Sequence, residues 1–82
     1  MTAREMFEEL GYTCLPALSL LEHKPIIYSK ELAIGKYVSF NFRTGYKDVL
    51  CNCDDDYLFI VDMPTFKAIQ KQLEELGWLD VD

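Results

Sequence analysis

Apolar positions along this chain change their period twice. Near the start, Ala3, Met6, Phe7 and Leu10 recur at the three- and four-residue spacing of one helical face. Thr2 and Glu5 fit a capping box, in which each side chain satisfies the other residue's backbone amide. A helix is predicted from about Ala3 to Leu10, stopped by Gly11. A second apolar stripe, Phe66, Ile69, Leu73 and Leu76, follows Asp62 as N-cap, with Pro64 tolerated in the first turn. Both helices end on one phrase, "FEELGY" at Phe7–Tyr12 and "LEELGW" at Leu73–Trp78. With Gly11 and Gly77 at C′ in the left-handed region, Tyr12 and Trp78 fall at C″ and Phe7 and Leu73 at C3. A Schellman motif brings those positions into apolar contact. The phrase reads as a helix stop with a hydrophobic clasp, used twice.

Between the helices the period falls to two. In "YVSFNF", Val38, Phe40 and Phe42 point one way and Tyr37, Ser39 and Asn41 the other. "RTGY" is a turn and "KDVLCN" a partner strand. An even loop sets Phe40 opposite Val49 and Val38 opposite Cys51, whereas an odd loop would put Asp48 on the core face. "DDD" is the next turn and "YLFIV" a nearly all-apolar strand. "PIIYSK" is an earlier strand, joined to "YVSFNF" through "LAIGK" and Gly35. Residues 13–24, "TCLPALSLLEHK", read as a loop, a short helical turn or an extra edge strand, since Pro16 forbids a long helix.

The expectation is one α+β domain over residues 1–82. It has an N-terminal helix, a four-stranded antiparallel meander and a C-terminal helix, with both helices on the sheet face that carries Val38, Phe40 and Phe42. Half of the residues are hydrophobic and 13% aromatic, enough for one small core. No apolar run approaches the ~18 residues of a membrane span, and Arg4 is followed by no signal-like apolar stretch. Three cysteines, Cys14, Cys51 and Cys53, are an odd set that reads as free thiols in a reducing cytoplasm.

The net charge of −6 is uneven. Residues 1–23 carry −3, residues 24–47 carry +4 and residues 48–82 carry −7. Two surfaces follow. Glu8 and Glu9, and Glu74 and Glu75, stand in the last turn of each helix, where carboxylates oppose the macrodipole. With Asp54, Asp55 and Asp56 they form a candidate acidic surface for a basic protein partner. Lys24, Lys30, Lys36, Arg43 and Lys47, interleaved with Tyr28, Tyr37 and Tyr46, form an alternative nucleic-acid-binding set. The element order is not that of an RRM, and the acidic flanks repel phosphate. Tyr37, Tyr46 and Leu50 turn away from the helices and suggest self-association of the sheet face as a homodimer.

Catalytic and metal chemistry find little footing. His23 lies in no nucleophile motif, and there is no glycine-rich phosphate loop. A zinc site would need Cys14, His23, Cys51 and Cys53 to converge, yet Cys-x-Cys is shorter than the usual knuckle. The even-loop pairing also puts Cys51 on the core face, as a small hydrophobe. The Asp54–Asp56 turn lacks the glycine and distal glutamate of a calcium loop. The reading is a non-enzymatic chain with no metal and no cofactor.

"MTAREMFEELGY" and "AIQKQLEELGW" resemble the two ends of small proteins from phages and prophages of Gram-positive bacteria. The likeness covers about a third of the chain, namely both helices. It implies a phage accessory protein in a bacterial host cell that binds and modulates or inhibits a host protein, including a defence nuclease in the manner of an anti-CRISPR. It carries over no site residue.

Overall fold

The computed structural model describes residues 1–16, 24–54 and 59–79. The chain runs α1 (Ala3–Glu9), β1 (Thr13–Leu15), β2 (Ile26–Ala33), β3 (Lys36–Arg43), β4 (Asp48–Cys53) and α2 (Met63–Glu75). The four strands form one antiparallel meander in sequence order.

Both helix ends form as the sequence dictates. Thr2 Oγ1 accepts from Glu5 N at 3.2 Å, and Glu5 Oε1 accepts from Thr2 N at 3.0 Å. Asp62 caps α2 by accepting from Thr65 N. Gly11 and Gly77 sit at φ 94° and 75°. Tyr12 N donates to Phe7 O and Gly11 N to Glu8 O, and Trp78 N donates to Leu73 O and Gly77 N to Glu74 O. These are two Schellman motifs. The first is closed by an edge-to-face contact of Phe7 and Tyr12, centroids 5.4 Å apart.

The core is aromatic. Phe7 is fully buried and stacks on Tyr28 at 4.1 Å, with Phe40 and Phe42 around it. Tyr28 and Phe40 are cross-strand partners, so β2 and β3 present them on one face. Val38 completes the floor. From α2, Ala68 joins the core, and the Gln72 side chain accepts a 2.6 Å hydrogen bond from Tyr28 OH.

Four sequence expectations need correcting. First, the strand at the N-terminal edge is Thr13–Leu15, one of the three alternatives for residues 13–24, and residues 17–23 lie outside the described chain. Phe59–Val61, expected in a last strand "YLFIV", are not strand; Phe59 instead packs its ring on Phe40. An all-apolar run has no period of its own, and the core took Phe59 as a plug. Second, the β3–β4 register is two residues further on: Phe40 faces Cys51, Phe42 faces Val49 and Val38 faces Cys53. The loop spans residues 44–47, where Tyr46 N and Lys47 N both donate to Arg43 O and Lys47 takes φ 56°. A shift of two keeps every face, so the parity argument holds while the partners change. Third, Cys51 is exposed, because β4 is the outer strand, and of its two cysteines Cys53 is the one that packs against the core. Fourth, α2 buries Thr65, Ala68 and Gln72, and Phe66 is 50% exposed. Ile69, Leu73 and Leu76 of the expected stripe do pack against the core, but the inward face is centred on Ala68 and Gln72, which leaves Phe66 at its margin.

Candidate interaction surfaces

Side-chain alternation along the paired strands builds ordered rows. Cys14, Tyr28, Phe40 and Cys51 align across all four strands on the core face. One residue along, on the other face, Leu15, Ile27, Asn41 and Leu50 align. Beside them runs a polar row of Thr13, Ser29, Ser39 and Asn52. Leu15 and Leu50, at the ends of the apolar row, are 41% and 42% exposed. Within it Asn41 Oδ1 is buried and has no hydrogen-bond partner among the described residues. A hollow of about 520 Å³ lies alongside, between Leu15 and Tyr37.

The three residues expected to support self-association stand apart. Leu50 belongs to the apolar row; Tyr37 is 49% exposed and faces Glu31, whose carboxylate bonds its hydroxyl and raises its pKa. Tyr46 is on the β3–β4 loop under the Arg43 guanidinium, 4.6 Å from the ring centre. Arg43 is itself held by Asp48 through two hydrogen bonds of 2.6 and 2.5 Å, which lowers the Asp48 pKa.

Three of the five described members of the acidic set are engaged in structure. Glu8 lies 3.8 Å from Arg4. Asp54 accepts from Tyr37 N at 2.7 Å. Glu75 Oε2 accepts from Ala3 N at 2.7 Å, so a carboxylate at the unfavourable end of α2 sits at the favourable start of α1. The contact was invisible in the sequence because it joins residues 72 positions apart. Glu9 and Glu74 have no ion-pair or hydrogen-bond partner among the described residues. Asp55 and Asp56 lie outside them.

The basic set is divided. Lys30 shares the core face of β2 and reaches over the Tyr12 ring at 5.6 Å, while Arg43 is on the opposite face. Lys24 and Lys36 sit at opposite ends of the β2–β3 pair, and Lys47 is in the β3–β4 loop. Tyr28, expected to offer a base-stacking ring, is buried.

The thiols are separated too. Cys14 is on β1 and Cys51 and Cys53 are on β4, with two strands between, which is about 14 Å at normal strand spacing. That exceeds any shared coordination sphere. Among the described residues no three His, Cys, Asp or Glu side chains gather as a metal ion requires, and His23 lies outside them. Desolvation, then the neighbouring Cys53, pushes the Cys51 thiol up, which keeps it protonated and weakly nucleophilic.

A second apolar site was missed by sequence reasoning. The start of α1 meets the end of α2 through Ala3 and Glu75, and the end of α1 lies beside the start of α2, so the helices run antiparallel. Between them is a hollow of about 320 Å³ walled by Met1, Met6, Leu10, Met63 and Pro64. These include all three methionines of the chain. Met63 and Phe66, one turn apart, stand 63% and 50% exposed. The signal was present in Phe66, which the stripe reading had turned inward.

Among the described residues no helix is long and apolar enough to cross a membrane. No family model, curated protein or solved structure matches the chain.

Proposed function

We propose that this chain is a protein-interaction module, with no reaction of its own, that binds a host protein through the sheet face crossed by Leu15, Ile27, Asn41 and Leu50. The observation that carries the reading is the buried Asn41 Oδ1 inside that apolar row, which has no partner among the described residues. An orphaned acceptor costs about 1–3 kcal/mol. A partner that seats an apolar residue against Leu15 and Leu50, and shifts the side chains around Asn41 enough to donate one N–H or O–H to its oxygen, recovers that cost. Glu9 and Glu74 add attraction toward a basic surface. In the phage setting that the helix phrases imply, the module works in the bacterial cytoplasm, and a host defence nuclease, inhibited in the anti-CRISPR manner, is the first partner to try.

The test is capture from bacterial host lysate by wild-type chain and by Leu50→Asp. The reading expects a host protein retained by the wild type and lost by L50D, with the E74Q variant weakened only at low salt. Equal capture by L50D refutes it.

A further inference from the structure

We propose that the hollow between α1 and α2 is the seat of a second copy of this chain, forming a two-fold dimer through the helices and leaving the sheet face free. The inference is independent of host-protein binding.

The hollow has the chemistry of an interface centre. Methionine and aromatic side chains are enriched in such centres, and methionine adapts to an irregular apolar surface. Here Met6, Leu10 and Met63 wall the depression and Phe66 stands on the adjoining turn.

The rim carries the argument for self-recognition. Glu9 on α1 and Lys67 on α2 both line the hollow and both are exposed. Neither has a partner within the chain among the described residues, although Arg4, Arg43, Glu8 and Glu75 are all engaged. A two-fold interface is isologous: if residue i meets residue j of the copy, j also meets i. The hollow offers one cation and one anion on two antiparallel helices. A copy seated across it sets α1 against the other α2, so that Glu9 faces the second Lys67 and Lys67 the second Glu9. One apolar centre is thereby closed by two reciprocal ion pairs. No foreign partner is required for that complementarity, and it draws together chains that otherwise repel at a net charge of −6 each.

Charge exchange tests this directly. Glu9→Lys and Lys67→Glu change exposed residues, so both variants fold, which circular dichroism verifies. Light scattering and sedimentation over a concentration series should find a dimer for wild type. Each variant alone places like charges opposite one another twice and should dimerise roughly tenfold more weakly or worse. Mixed in equal amounts, E9K and K67E restore both opposite-charge pairs and should form a one-to-one heterodimer. Phe66→Asp should abolish association, and Leu50→Asp should leave it unchanged. A wild-type monomer at millimolar concentration overturns the proposal. So does a mixture no tighter than its components, or a dimer broken by L50D, which would place self-association on the sheet.

Discussion

The Tyr28 hydroxyl donates to Gln72 Oε1 at 2.6 Å, and both residues are almost completely buried. This bond couples the sheet to α2 and fixes which side of that helix faces inward. Tyr28→Phe removes the donor and leaves a buried amide oxygen unsatisfied, so it should cost about 1–3 kcal/mol. The double variant Tyr28→Phe with Gln72→Met removes both polar groups and should recover most of that loss. Denaturant unfolding of the two single variants and the double variant checks the coupling.

The place of Phe66 at the margin of the packed face of α2 gives an inverted expectation for two neighbours. Phe66 is half exposed and Ala68 fully buried. At concentrations where the chain is monomeric, Phe66→Ser should change stability by less than about 1 kcal/mol. Ala68→Leu should cost about 1–3 kcal/mol by overpacking. Thermal melts of the two variants suffice, and the reverse order would mean that the helix turns Phe66 inward.

Asn41 invites the opposite kind of change. Replacing it by leucine removes the orphaned oxygen and joins Ile27 and Leu50 into an unbroken apolar row. Asn41→Leu should raise the melting temperature of the free chain while weakening capture of its partner. A variant that melts lower would show that Asn41 stabilises the isolated fold.

Burial pushes the Tyr12 and Tyr28 phenols up to about 12. The folded state then holds protons that the unfolded chain releases near pH 10. Stability from the two neutral phenols is complete below pH 10 and is lost as pH rises through 12. Tyrosinate absorbance should therefore show Tyr12 and Tyr28 ionising late, beside the Glu31-bonded Tyr37, and only the first two together with unfolding followed by far-ultraviolet circular dichroism. Ionisation of all tyrosines near pH 10 with the fold intact would contradict the burial.

Gly77 has φ 75°, and a methyl group added there would meet nothing within 4 Å. The cost of Gly77→Ala is thus purely conformational, about 1–2 kcal/mol. Gly77→Asn should cost less, since asparagine tolerates the left-handed region. Melting temperatures in the order Gly, Asn, Ala check it.

Local chemistry was legible in the sequence. Thr2 with Glu5, Asp62 with Pro64, and both glycine stops rest on contacts within five residues, and all form as read. The strands with strict alternation were legible for a similar reason, because parity survives a register error of two. What escaped depends on distant partners. Phe59 became a plug rather than a strand, since its ring is claimed by Phe40. Phe66 turned outward because Gln72 has a phenol to meet 44 positions away. The acidic helix ends looked like one surface until Glu75 was seen at the start of α1. A charge pattern shows where acids stand along a chain, and only the fold shows which amides they face.

The Ala3–Glu75 bond also bears on the order in which the molecule assembles. Phe7, the centre of the aromatic cluster, is synthesised before all four strands and before α2, whose Ala68 joins the same core. Synthesis proceeds at roughly 5–20 residues per second, so a nascent chain holds its core aromatic unprotected for several seconds. Folding must await α2 and close a long loop in one late step, the kind of topology that slows refolding.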